Sequence, residues 1–111
     1  MENIIYNELR YRDYNVDVGI INTREKSDQN KLERKQLEVD FVCNKGSNKI
    51  YIQSAFNIDK LNQEIKSLNL INDSFKKIVI VNDSIIKRKN ENGILFIGIK
   101  EFLLDPLSIN Y

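Results

Sequence analysis

The stretch of sequence that decides the fold reads QLEVDFVCNKGSNKIYIQSA and runs from Gln36 to Ala55. Side chains alternate between two faces in its first and last parts, which is the period of a β-strand. The residues between them, Lys45-Gly46-Ser47-Asn48, have the chemistry of a tight turn. The stretch therefore predicts two antiparallel strands joined as a hairpin.

Strict alternation assigns the side chains of this hairpin to faces. Leu37, Val39, Phe41 and Cys43 are predicted to share one face, with Gln36, Glu38, Asp40 and Val42 on the other. In the second strand, Tyr51, Gln53 and Ala55 share a face. Asp40 and Gln53 could then lie side by side on adjacent strands. A carboxylate and an amide oxygen are ligands that a hard divalent cation accepts, so the pair is a candidate metal site.

Composition limits the class of protein. The chain of 111 residues is long enough for one domain with one core. Its net charge of +1 gives no strong attraction to nucleic acid or to an anionic membrane, and no apolar run could span a bilayer. The single cysteine favours a reducing compartment, so we expect a cytoplasmic protein. Histidine is absent, which excludes Ser-His triads and most zinc sites.

The rest of the chain predicts helices and strands around the hairpin. We expect a helix over residues 2–12, a strand over 16–21, an exposed loop over 23–33 and a helix after Asn57. Buried strands follow at 78–81 and 94–99, separated by a polar loop, and a helical turn at 101–104 ends before Pro106. A helix between the third and fourth strands favours a parallel pair, hence a mixed sheet with helices packed on it.

The first helix places acids near its apolar face. On a helical wheel, Ile5, Tyr6 and Leu9 form that face, Glu2 falls within it and Glu8 lies at its edge. Glu2 is either an acid that needs a buried partner or a first-turn acid stabilised by the helix dipole. The predicted core is the set Ile5, Leu9, Val39, Phe41, Ile52, Leu61, Ile65, Ile78, Ile80, Leu95 and Ile97, together with Cys43.

Five phrases of the sequence suggest a family. They are ENIIYNELR at 2–10, RKQLEVDFV at 34–42, YIQSA at 51–55, DSFKKIVIV at 73–81 and NGI at 92–94. Through them the chain resembles the C-terminal domain of unknown function of a group of prokaryotic AAA-type ATPases. Its order of elements is also similar to the αβββαβ core of the PD-(D/E)xK nuclease superfamily. The resemblance implies an α/β (α+β), restriction-endonuclease-like fold: a mixed central sheet flanked by helices. Residues 1–111 would be one such domain and the C-terminal fragment of a longer ATPase.

The superfamily pattern assigns candidate site residues. Glu2, with Glu8 as the fallback, matches the helix acid, Asp40 the strand aspartate and Gln53 the Glu/Gln position. These residues would hold Mg²⁺ or Mn²⁺ if the site is active. The position of the catalytic lysine falls on Ala55, whose methyl group can neither activate a water nor stabilise charge. Lys60 or Lys66 of the next helix could replace it, or could simply be solvated.

Three functions remain open from the sequence. The first is an accessory or interaction domain that has lost catalysis and contacts the upstream ATPase part, with nucleic acid or protein as a further partner. The second is a metal-dependent nuclease with a migrated lysine. The third is a homodimer formed through the edge strand at 16–21. Because no phosphate-binding loop of the G-x-x-x-x-G-K-[ST] type occurs, ATP hydrolysis would belong to another part of the protein.

Overall fold

A computed structural model describes residues 1–26, 32–57, 61–71, 73–105 and 107–109. Side chains are described for these residues except 20–26, 32–37, 62 and 63. The predictions for Lys60 and Pro106, and for the middle of the loop at 23–33, lie outside the described residues.

The described chain forms three helices and six strands. They follow in the order α1 (Glu2–Tyr11), β1 (Asn15–Lys26), β2 (Leu32–Lys45), β3 (Asn48–Ala55), α2 (Leu61–Asn69), β4 (Lys76–Val81), β5 (Arg88–Lys89), β6 (Leu95–Gly98) and α3 (Ile99–Leu104). None of the described helices is long and apolar enough to cross a membrane.

The six strands form one mixed sheet in the order β1-β2-β3-β4-β6-β5. β3 and β4 are parallel, as are β4 and β6, whereas the other neighbours are antiparallel. The predicted mixed sheet with helices packed on it is therefore confirmed. The turn between β2 and β3 is Gly46-Ser47, flanked by the pair Lys45–Asn48, and Gly46 adopts a φ of 61°, which favours glycine.

The first hairpin is longer than the sequence predicts. Residues 23–26 and 32–33, expected in a loop, continue β1 and β2, which pair as far as Lys26 and Leu32. Their mostly polar composition suggested a loop, but the backbone hydrogen bonds of a hairpin do not depend on side-chain polarity. Arg88 and Lys89, expected in a polar loop, likewise form a short edge strand beside β6. Ile99, expected at the end of a strand, begins α3.

Each face of the sheet carries its own core. One face packs against α1 and α3 through Phe41, Cys43, Ile50, Ile52, Ile78, Ile80, Leu95, Ile97, Ile5, Leu9 and Phe102. The other packs against α2 through Val39, Tyr51, Ala55, Val79, Val81, Phe96, Leu61 and Leu68. Every residue of the predicted core is buried except Ile65, which is half-buried against the α2 face. Tyr6, predicted on the apolar face of α1, is exposed.

The prediction that Val39 shares a face with Phe41 is wrong, and the cause is a bulge in β2. The pairs Asp17–Val42 and Gly19–Val39 leave one residue of β1, Val18, opposite two residues of β2. This extra residue reverses the alternation, so Val39 faces α2 while Phe41 faces α1. Gly19 fits beside the bulge because a Cβ there would collide with the side chain of Val42.

Candidate functional site

The bulge separates β2 from β3 and opens the sheet at Asp40. Backbone pairing between these strands runs from Lys45–Asn48 to Phe41–Ile52. Beyond Phe41, side chains take over the bonding between the strands. The candidate site therefore lies where the two central strands of the sequence prediction diverge.

Gln53 holds one side of this opening. Its side chain is 3% exposed. Its Oε1 accepts a hydrogen bond from the backbone N–H of Asp40 at 2.8 Å, and its Nε2 donates to the backbone carbonyl of Glu38 at 3.2 Å. Both ends of the amide are thus committed to main-chain groups of β2 that have no strand partner on the β3 side. Its contacts are those of a structural glutamine that closes the bulge.

Asp40 holds the other side of the opening. Its Oδ2 accepts a hydrogen bond from the backbone N–H of Ser54 at 2.8 Å and another from the Ser54 hydroxyl at 2.9 Å. The same hydroxyl lies 3.5 Å from Oε1 of Glu2, a loose contact. The structure therefore brings Glu2 and Asp40 together around Ser54, while the amide of Gln53 bonds the main chain of β2.

Glu64 of α2 is a third acid near this site, and it is not among the candidate site residues predicted from the sequence. It is half-buried. Burial raises the pKa of Glu64, and the negative charges of Asp40 and Glu2 raise it further. A signal did exist in the sequence: at 100° per residue Glu64 lies 40° from Leu68 on the helical wheel, at the border of the apolar stripe.

The other candidate residues are placed as follows. Ala55, to which the resemblance assigned the lysine position, is 1% exposed and pairs with Val81 in the core on the α2 face. Lys66 is exposed on α2. Glu8 forms an ion pair with Arg12 at 3.0 Å, so it is engaged within α1. At position 55, β3 therefore supplies a buried methyl group and no ammonium group.

The described acids do not form a compact cation site. Among residues 1–26, 32–57, 61–71, 73–105 and 107–109, no three carboxylate or cysteine side chains are close enough together to hold one metal ion. The charges of Asp40 and Glu2 act on Glu64, but the three carboxylates are not grouped closely enough to be ligands of one ion.

Cys43 has the role predicted for it. Its thiol is free and buried among the residues that face α1. Burial, and to a lesser degree the charge of Asp17, raises the pKa of Cys43 to about 12. Because the thiolate is the reactive form, this cysteine is a core residue and not a nucleophile.

A second polar group lies at the other end of β3. The Tyr51 hydroxyl donates to Oδ2 of Asp73 at 2.7 Å, and Nζ of Lys77 lies 3.0 Å from Oδ1 of the same carboxylate. Burial, then the hydrogen bond to Asp73 and its charge, raise the pKa of Tyr51 to about 12. For Asp73, partial burial is outweighed by the hydrogen bonds from Tyr51, Lys77 and the Phe75 N–H, so its pKa is lowered.

The chain matches no known family model, and no curated protein is detectably similar to it in sequence.

Proposed function

We propose that this chain is a nuclease-like accessory domain without catalysis of its own, attached to an AAA-type ATPase. The observation that carries the proposal is that the candidate site residues form hydrogen bonds that hold the sheet together. By the resemblance Asp40 and Gln53 would be ligands, yet the described hydrogen bonds of their side chains go to groups that join β2 to β3. The order of α1, three strands, α2 and β4 also supports a restriction-endonuclease-like core.

The lysine position supports the same proposal. Ala55 contributes a methyl group to the core and pairs with Val81 of β4. A lysine there would bring an ammonium group to the face that packs on Leu61 and Leu68. Without that group, an attacking water has no cation beside it from β3, and loss of one such group typically costs about 10²-fold or more in rate.

An accessory domain acts through what it contacts. The proposed partners are the ATPase part of the same protein and a further protein or nucleic acid, in the cytoplasm. The edge strand β1 is a third surface, through which two copies could pair.

The test of this proposal combines cleavage and metal binding. Supercoiled DNA, single-stranded DNA and RNA are incubated with the protein and Mg²⁺ or Mn²⁺, and Mn²⁺ is titrated into the protein by calorimetry. We expect neither cleavage nor binding. Cleavage that depends on the metal and is lost in Asp40→Asn would overturn the proposal.

One observation favours a second function, a metal-dependent nuclease. The charges of Asp40 and Glu2 both raise the pKa of Glu64, so three acids accumulate negative charge that a divalent cation would neutralise. In this alternative Glu64 takes the place of a charged ligand that Gln53 cannot supply. Binding of Mn²⁺ that is lost in both Glu64→Gln and Asp40→Asn would support it, whereas binding unchanged in Glu64→Gln would exclude Glu64 as a ligand.

A further inference from the structure

A cleft lies at the end of the sheet where β3 and β4 begin. It has a volume of about 270 Å³ and separates the β2–β3 turn from the segment that leads into β4. Ser47, Lys49 and Ile50 line one wall, and Ser74 and Phe75 line the other. β3 begins at this cleft and ends at the carboxylates, so the two sites lie at opposite ends of one strand.

A neighbouring cleft shares the Phe75 wall. This second cleft of about 230 Å³ lies on the other side of the segment 74–76, against Asn92 and Gly93. The two clefts share Ser74, Phe75 and Lys76, so they adjoin along this segment, and we call the two clefts together the groove. A groove of this kind suits an extended chain better than a compact small molecule.

The larger cleft is positively charged. Its walls contain Lys49 and Lys76, and none of the described residues that line it is an acid. Nζ of Lys49 lies 5.2 Å from the centre of the Phe75 ring, and Nζ of Lys45 lies 5.4 Å from the centre of the Tyr14 ring at the same cleft. The smaller cleft contains Asp73, whose charge is engaged by Lys77. The rings thus hold ammonium groups beside the cleft, and the complementary ligand is an anion.

We propose that this groove binds an acidic, partly apolar peptide segment of a partner protein. Carboxylates would meet the ammonium groups, hydroxyls of Ser47 and Ser74 would donate to them, and an apolar side chain would pack on the exposed ring of Phe75. A single-stranded nucleic acid fits less well, because grooves that bind it offer ring faces to stacked bases. Here a lysine lies over a face of each ring, and lysine lacks the planar fork with which arginine grips phosphate.

The experiment uses a fluorescein-labelled peptide of Glu-Glu-Leu repeats and fluorescence anisotropy. We expect saturable binding that weakens as salt is added. Lys49→Glu should raise the Kd by at least about tenfold, because attraction becomes repulsion at a close charge pair. The matched control is Lys100→Glu on α3, which follows the far end of β6; an exposed charge outside the groove should change the Kd by less than about twofold. Lys49→Gln, which removes the charge without reversing it, should fall between them.

The same titration decides between ligands and between sites. An oligothymidylate of equal charge that binds more tightly than the peptide would overturn the proposal, as would equal effects of Lys49→Glu and Lys100→Glu or no binding at low salt. Amide chemical shifts should change at residues 47–50 and 74–76; changes centred on Glu2 and Asp40 instead would place the ligand at the carboxylates. The groove does not depend on the function proposed for those acids, so either proposal can fail alone.

Discussion

Replacement of Gln53 by methionine should destabilise the protein although the volume of the side chain is nearly preserved. Gln53 is buried and bonds the N–H of Asp40 and the carbonyl of Glu38. Methionine fills a similar space with an unbranched chain but can neither accept nor donate these bonds. Two main-chain groups at the bulge would then lose their partners.

The magnitude follows from those two groups. A buried polar group left without a partner costs about 1–3 kcal/mol, so two would cost roughly 2–6 kcal/mol if water stayed excluded. Glu38 is exposed and Asp40 half-buried, so water can reach part of the bulge. We therefore expect the free energy of unfolding to fall by about 2–4 kcal/mol. With a urea m-value of about 1.5 kcal/mol per M, the midpoint should move by roughly 2 M.

Urea denaturation followed by circular dichroism measures this shift, with Ser54→Ala as the matched control. That variant removes the hydroxyl but leaves the Ser54 N–H bonded to Asp40, so it should cost only about 1 kcal/mol. A Gln53→Met protein within about 0.5 kcal/mol of the parent would refute the structural role of Gln53, because that is the range of a neutral surface change. Gln53 would then be better explained as a ligand.

Three further predictions follow from the pKa shifts and from one close contact. Glu64→Gln should stabilise the protein at neutral pH. Burial, and then the neighbouring carboxylates, raise the pKa of Glu64, so the folded state favours its protonated form. The stability that protonated Glu64 contributes is complete below about pH 4 and is lost as the pH rises through the folded pKa. Equal urea midpoints of parent and variant at pH 7 would contradict this. Tyr51→Phe should cost about 1 kcal/mol of stability at pH 7, because the hydrogen bond to Asp73 is lost. The difference in stability between parent and variant should close between pH 10 and 12, because the tyrosine has a pKa of about 12 in the folded state and 10 in the unfolded state, so the parent loses stability there. A difference still constant at pH 11 would exclude the raised pKa. Gly98→Ala should destabilise by about 1–3 kcal/mol, because its Cβ would lie 2.6 Å from the carbonyl oxygen of Asp83, and an unchanged melting temperature would show that this loop yields freely.

The sheet could be predicted from the sequence because its central strands are decided by apolar pattern alone. Ile78-Val79-Ile80-Val81 has no polar face, and the structure buries it between α2 and the helices of the other face. A strand that is apolar on both faces is stable in the interior of a mixed sheet, where both faces are covered. The long first hairpin could not be predicted in the same way, because the mostly polar residues at 23–26 and 32–33 fit a loop and a two-stranded ribbon equally well.

The geometry of the candidate site depends on the one extra residue of the β2 bulge, which the hydrophobic pattern of the sequence does not reveal. Strict alternation put Val39 with Phe41, whereas the bulge opposite Val18 sends them to different faces. A bulge is fixed by pairing with a neighbouring strand, so it is a long-range property that the local period lacks. Glu64 illustrates the reverse case: its border position was visible on the helical wheel, but only the folded chain shows that Asp40 and Glu2 act on it.

The bulge also decides which variant of Asp40 is informative. Asp40→Ala removes the acceptor of both Ser54 hydrogen bonds as well as the charge, so a loss of metal binding in that variant could reflect an open sheet. Asp40→Asn keeps a carbonyl oxygen that can accept the Ser54 N–H, while it removes the negative charge and replaces the second oxygen by an NH₂ donor. If Asp40 serves the fold, Asp40→Asn should lie within about 1 kcal/mol of the parent by urea denaturation while Asp40→Ala loses about 2–3 kcal/mol. Equal losses in both variants would mean that the charge of Asp40, rather than its hydrogen bonds, holds β2 to β3.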